Sequence, residues 1–276
     1  MNIVTANVGQ GALAIVRSGG DAIVIDSRVP PSGDDTVAHV KGLLAYALKD
    51  HRVKGLILTG FDADHCDTVG VSIILRKYRP DWVMYPKYYK DSDEAKAVFA
   101  LIDEEEKARR AAGNPLRRVS VRLDKLESRM LTGLSNQFTF ELFSPHIEDM
   151  DCSNNCSIVV KMTGIGPRGF SYLVTGDTEN DRWETIARLF GGALKAHVLA
   201  GPHHGSRHSA HPAALLHIAP HTVLISAGVD NKYGHPAPEA VRMYARVAKV
   251  YSTNMEGGVT LLTRPGAGEL ETTLMR

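Results

Sequence analysis

Apolar and polar residues alternate along this chain in two periodicities. Residues 2–8, 13–17 and 22–26 are short β-rich runs separated by glycine turns, which predicts a meander of strands. Residues 35–49 then carry Val37, Val40, Leu43, Leu44 and Leu48 at helical spacing. A strand pattern over 53–59 stops at Gly60. After it come a helix over 68–78, a strand over 82–85 and a charged helix over 91–112, closed by Gly113, Asn114 and Pro115. The second half repeats the scheme, with strands predicted at 138–143, 156–163 and 168–175 and a helix at 182–190. Strands at 197–200 and 222–226, a helix at 238–248 and a last strand at 259–263 complete it. No linker, repeat or low-complexity run interrupts the pattern. Strands in both halves, each half ending in helices, predict an α/β fold of sheets sandwiched by helices, built as one domain over 1–276.

Composition narrows the function classes. The 276 residues carry 32 Lys+Arg against 31 Asp+Glu, so any site for a polyanion must be local rather than a property of the whole surface. No apolar run approaches the ~18 residues of a membrane span, and the N-terminus lacks the pattern of a secretory signal. A cytoplasmic location is the expectation. Three cysteines cannot build a disulfide framework; Cys152 and Cys156 lack a second pair of ligands for a structural zinc, and Cys66 reads as a small buried residue. Histidine changes the picture more: eight of the 12 fall between 197 and 235. Imidazole is the commonest metal ligand, so this density invites a metal or phosphate site, although His208, His211, His217 and His221 read as surface or capping groups.

Polar clusters stand where predicted strands end. Asp26 follows AIVI, Asp62, Asp64 and His65 follow LILT, Asp177 follows SYLVT, and His203 and His204 follow HVLAG. Loops after strand ends are where layered α/β proteins assemble sites. Carboxylates converging there repel one another unless a cation neutralises them, and an Asp plus His set suits Zn, Mn or Fe. The plainer reading makes Asp62 and Asp64 turn residues, Asp177 a helix cap and His203 a core histidine.

The ordered series VGQG (8–11), IDS (25–27), DADH (62–65), NNCS (154–157), TGD (175–177), HHGS (203–206) and NKYGHP (231–236) resembles the metallo-β-lactamase-fold hydrolase domain of ComEC-type DNA-uptake proteins and their stand-alone relatives. The resemblance implies a four-layer αββα sandwich, a metal site at the sheet edges and hydrolysis of a phosphodiester. It also implies roles. One ion would be held by Asp64, His65, Asp177 and His203, while another would keep only Asp62 and the bridging Asp177. Position 60, a histidine in the usual pattern, is glycine; Asn155 stands near the third motif, and Asn7 and Ala12 flank VGQG in place of acidic residues. One firmly bound divalent ion, Zn or Mn, is therefore expected rather than two.

Asp62 or Asp177 would orient an attacking water made acidic by the ion. His204, Ser206 and the Gly205 amide would face phosphate oxygens, and His235 would protonate the leaving group. Asn231 and Tyr233 would contact substrate or brace their turn, and Asp26 would orient a ligand histidine from behind. Asp149 and Asp151, in the loop before NNCS, are expected to matter little. Two basic groups, Lys87 to Lys90 with Tyr88 and Tyr89, and Arg117, Arg118, Arg122 and Lys125, would flank a nucleic-acid path or form solvated faces. The leading expectation is a metal-dependent phosphodiesterase or nuclease. A catalytically weakened metal-binding partner or sensor is the alternative, and hydrolysis of a carbonyl substrate a further one.

Overall fold

The computed structural model describes residues 1–30, 33–88, 90–122, 128–144 and 152–276. Tyr89, Lys125, Asp149 and Asp151 lie outside the described residues. The element order is β1 (Asn2–Thr5), β2 (Ala14–Ser18), β3 (Asp21–Ile25), α1 (Gly33–Ala47), β4 (Arg52–Ile57), α2 (Thr68–Ser72), β5 (Trp82–Pro86), α3 (Asp93–Ala111) and β6 (Arg117–Val121). It continues with β7 (Phe138–Ser144), β8 (Val159–Gly164), β9 (Ser171–Val174), α4 (Asn180–Phe190), β10 (Val198–Ala200), α5 (Pro212–Ile218) and β11 (Thr222–Ile225). The chain closes with α6 (Pro238–Ala245), β12 (Lys249–Ser252), β13 (Thr260–Pro265) and β14 (Leu270–Met275). Eight strands form one sheet in the order β14-β13-β1-β2-β3-β4-β5-β6, and six form a second in the order β12-β11-β10-β9-β8-β7.

The layering follows from the two-residue period of a strand. Along β4 and β5, Ile57, Trp82 and Met84 enter the core between the two sheets, while Leu56, Val83 and Tyr85 enter the core beneath the helices of the first half. In the second sheet Tyr172, Val174, Val198 and Leu224 point to the shared core. Leu173, Leu199, Val223 and Ile225 instead pack with Trp183, Ile186 and Tyr244 of the later helices. Central strands buried on both faces read as continuous apolar runs, and two such sheets covered outside by helices make the expected αββα sandwich.

The predicted meander is β1-β2-β3, antiparallel throughout. Three strands and a helix were not foreseen. β6 carries Arg117 and Arg118, read as a basic cluster; β12 and β14 sit at sheet edges; α5 is seven residues long. The helix expected over 68–78 is α2 continued by a π-helical turn, Ile73–Tyr78. Among the described residues, no helix is long and apolar enough to cross a membrane.

Gly55 on β4 lets the Trp82 indole lie flat across its strand, because any Cβ there would stand inside the ring. Trp82 cannot swing away without losing the bond from Nε1 to the Leu134 carbonyl, 2.8 Å. Gly55→Ala is therefore expected to destabilise the fold by about 1–3 kcal/mol, as overpacked cores do. Chemical denaturation checks this; an unchanged midpoint would show that the ring repacks freely.

Candidate metal centre

Parallel pairing brings the polar clusters to one edge. β3 runs parallel to β4, and β9, β10 and β11 run parallel to one another, so the segments after their C-terminal ends emerge together. Asp26 follows β3, the 60–67 loop follows β4, Asp177 follows β9, and His203 and His204 follow β10. Three of these residues adopt left-handed backbone: Asp26 at φ 56°, His203 at φ 48° and His204 at φ 52°. Non-glycine residues hold this conformation only where the surroundings fix it, and such positions gather at functional sites.

Asp64, His65, Asp177 and His204 each present a ligand atom, all within 4.8 Å of one another. His65 is clamped from both sides, with Nε2 2.8 Å from Asp177 Oδ1 and Nδ1 2.9 Å from Asp26 Oδ2. Asp26 is itself fixed by the Thr59 amide at 2.7 Å and the Thr59 hydroxyl at 2.8 Å. A carboxylate behind a ligand histidine sets its tautomer and orientation, the role expected for Asp26. His204 Nδ1 donates to the Ser226 carbonyl at 2.8 Å. That leaves Nε2 facing Asp64 at 3.5 Å and Asp177 at 3.6 Å, buried and without a hydrogen-bond partner among the described residues. A buried, unpartnered imidazole nitrogen aimed between two carboxylates fits a divalent cation.

The electrostatics agree. Burial alone would raise the Asp177 pKa, but His65 and His204 outweigh it and hold the carboxyl at about 2. Asp64 is depressed further by His204 and His65 against the same burial penalty. Burial opposes protonation of His65, yet Asp177 and Asp26 carry its pKa well above the ordinary value, and Asp177 and Asp64 raise that of His204. Without a metal, protonated imidazoles serve as the cations.

The structure brings some of the expected residues together and not others. His204 rather than His203 is among the four whose ligand atoms gather. The two consecutive left-handed residues send the rings apart, and His203 lies 4.0 Å from Asp177 Oδ2 with Nδ1 3.5 Å from Glu179. Asp62 is not among the four and pairs with Lys90. The Asn231 amide is spent inside its turn, donating to the Gly228 and His235 carbonyls and accepting from the Tyr233 and His235 amides, so it braces the loop. The Ser206 hydroxyl accepts from the His208 amide at 3.3 Å and secures the turn after His204. His235 packs 5.7 Å from His203 with Tyr233 stacked on its other side at 5.8 Å. Burial and then the neighbouring His203 and His204 lower its pKa. Lys90, Thr59 and Glu179 had not been foreseen at this edge; only Glu179, two residues beyond Asp177, carried a positional hint.

No family model matches the chain. Over 210 residues it is 29% identical to ComE operon protein 3 of Bacillus subtilis (strain 168), which covers 75% of this chain and 24% of that protein. Over 122 residues it is 32% identical to Competence protein ComA of Neisseria gonorrhoeae, covering 44% of this chain and 17% of that one. The chain thus spans about a quarter or less of the length of these relatives. Among solved structures, the CmlA β-hydroxylase superposes with a TM-score of 0.53 at 15% identity, over 95% of this chain and 54% of the other. The chain is similar in sequence to ComEC-type competence proteins, and its fold is that of the metallo-β-lactamases.

Within that fold, the departures at the usual first-ion position have structural counterparts. Gly60 offers no side chain and Asp62 is engaged by Lys90. Asn155 is committed to the start of α4, donating to Asp181 at 3.1 Å and accepting from the Glu179 amide at 3.0 Å. Among the described residues, the set that could hold a metal ion is Asp64, His65, Asp177 and His204.

Metal uptake at this set is expected to release protons, because a cation must displace the protons that the raised pKa values keep on His65 and His204. Apparent metal affinity then climbs with pH. The metal-free network stabilises the fold most between roughly pH 4 and 6.5. Below that window the depressed carboxylates lose their contribution on approach to their folded pKa, and above it the histidines lose theirs on approach to their raised values. Titration calorimetry of Mn or Zn in two buffers of different ionisation enthalpy checks the release. Identical heats in both would show that His65 and His204 carry no protons for the metal to displace.

Proposed function

We propose that the protein is a metal-dependent phosphodiesterase acting on nucleic acid or a nucleotide, holding one firmly bound divalent ion, Zn or Mn. The observation that carries the reading is the four-residue cluster, three of its members buried, with His204 Nε2 standing between Asp64 and Asp177 without a hydrogen bond. A divalent ion there would acidify water and neutralise charge on a phosphate oxygen. The chain's residues do the rest: Asp26 and Thr59 fix His65, the Ser226 carbonyl fixes His204, and Asp177 joins the two imidazoles. His235, on the returning NKYGHP loop beside His203, would protonate the leaving group from its imidazolium form, which its lowered pKa makes a stronger acid but a scarcer one.

The substrate class rests on the resemblance to DNA-uptake hydrolase domains, on one relative named as a competence protein, and on a groove of about 720 Å³. Aromatic and basic side chains, Tyr85, Lys87, Tyr88, Lys96, Phe99 and Arg118, line that groove, the combination that stacks bases and meets phosphates. Its arginine is already paired with Asp103 and Glu106, so the excess positive charge is modest. The competing reading, a catalytically weakened metal-binding partner or sensor, is favoured by Gly60 and by the pairing of Asp62 with Lys90.

A screen of the Mn- and Zn-loaded protein over single-stranded DNA, duplex DNA, RNA and cyclic dinucleotides decides between them. Turnover supports the hydrolase, and tight metal binding without turnover on any substrate supports the sensor. Asp177→Ala is expected to abolish metal binding and hydrolysis together, since Asp177 contacts both imidazoles; a metal-replete, active variant would overturn the assignment. His235→Ala should retain the metal while turnover falls by ~10²-fold, the size of a lost general acid. A nitrophenyl phosphodiester, with its good leaving group, should lose much less. Equal loss on both substrates would make His235 a phosphate-binding residue.

A further inference from the structure

We propose that the Lys90 ammonium is a built-in cation that replaces a second metal ion beside Asp62 and donates to a phosphate oxygen of the substrate. The phosphate part rests on the phosphodiesterase reading; the replacement of an ion does not. Lys90 follows β5, 28 residues from Asp62 in sequence, yet its Nζ donates to Asp62 Oδ1 and lies 3.5 Å from Ser153 Oγ. An ordinary surface ion pair holds two flexible side chains loosely and contributes little. This one is set from both ends. The Ser92 amide donates to the Lys90 carbonyl at 3.0 Å while Ser92 Oγ caps α3 by accepting from the Ala95 amide at 3.2 Å. Two residues earlier, the Tyr88 hydroxyl accepts from the Phe61 amide at 3.4 Å, and the Tyr88 ring packs against Phe61, tying this segment to the metal-motif loop. Asp62 is fixed in turn, because its carbonyl accepts from the His65 and Cys66 amides, both at 2.9 Å.

Charge accounting favours the same assignment. Asp26, Asp62, Asp64 and Asp177 place four carboxylates on this edge. One divalent ion in the Asp64, His65, Asp177 and His204 set leaves Asp62 without a counter-charge unless an ammonium supplies it. A second ion would have one side-chain ligand from the 60–62 segment, which is too few for tight binding, whereas an ammonium needs only oxygen acceptors. Lys90 has three N–H donors and one-quarter of its side chain exposed, so a donor remains for an incoming anion after Asp62 and Ser153 are met.

The first test counts ions. Gly60 has room for a side chain, since a Cβ there would lie 4.0 Å from Ser157 Oγ, its nearest neighbour, and its φ is outside the left-handed range. Equilibrium dialysis with Mn should give about one ion per chain for the native protein and for Gly60→His, because Lys90 still fills the position. Gly60→His combined with Lys90→Ala should take up a second. A second ion in Gly60→His alone, or none gained in a folded double variant that keeps the first, would overturn the replacement.

The second test uses inorganic phosphate and calorimetry on the Mn-loaded chain. Lys90→Gln should weaken phosphate binding roughly ten-fold or more, the scale of one charged hydrogen bond, with metal content unchanged, and Lys90→Arg should restore most of it. Native-like phosphate binding by Lys90→Gln, or no binding by the native protein, would refute the anion contact. Lys90-dependent phosphate binding with no hydrolysis of any phosphodiester would defeat the hydrolase reading while leaving this one standing.

Discussion

Burying Asp177 beside the half-buried Asp64 is the constraint on which the rest of this edge depends. A carboxylate removed from water is tolerated only when a cation or a full set of donors meets it, and here two face the same small volume. Every nearby feature supplies that compensation. The Ser157 hydroxyl accepts from the Asp177 amide at 2.9 Å and so fixes the turn that delivers the carboxylate. Gly176 has φ 52° and a Cβ there would meet Ser157 Cβ at 2.7 Å, so the two loops approach as closely as backbone allows. The imidazoles of His65 and His204 complete the compensation, and each is held by its far nitrogen so that the near one is committed to the acids.

That arrangement makes the site bistable in charge rather than in shape. With protons on the imidazoles it is a network of buried ion pairs, and with a divalent ion it is a coordination sphere using the same atoms. Little rearrangement is needed, because the four ligand atoms already lie within 4.8 Å of one another. Preorganisation of this kind also explains why the non-glycine left-handed backbone is retained at Asp26, His203 and His204. Each such residue costs of order 1–3 kcal/mol, a cost that makes sense where an exact side-chain direction is needed.

How much of this the sequence disclosed depended on the range of each interaction. Strands buried on both faces announced themselves as apolar runs, and their ends marked Asp26, Asp64, His65 and Asp177. β6, β12 and β14 were hidden because edge or half-exposed strands carry arginine, lysine and threonine at positions a buried strand fills with valine. The exchange of His203 for His204 was illegible for a different reason. Spacing along a strand or helix predicts a side-chain direction only when the backbone is regular, and HHG is a pair of left-handed residues. Lys90 was visible as a charge but not as a partner of Asp62, since nothing in one sequence links residues whose contact depends on a turn between β5 and α3. Asn231 was left between substrate contact and bracing its turn, and only the closed turn shows that both ends of its amide are used.

The loops HHGS and NKYGHP act as one mechanical unit, and this determines what can lie above the ligand cluster. A Cβ on Gly205 would come within 2.6 Å of Pro236 Cβ, and the Ala237 amide donates to the Gly205 carbonyl at 2.8 Å. Asn231, by cross-bonding its own loop, transmits that attachment to His235, whose ring then meets His203. The imidazole at 235 is thereby positioned through the segment that carries the metal-facing His204, not by an independent surface loop. Any displacement of one is imposed on the other. Lys90 approaches from the opposite half of the chain, on a segment tied to the β4 loop through Phe61. The candidate centre therefore lies between two separately braced groups of loops, one from each sheet, and the pairs His65 with Asp177 and His204 with Asp64 hold those groups in register.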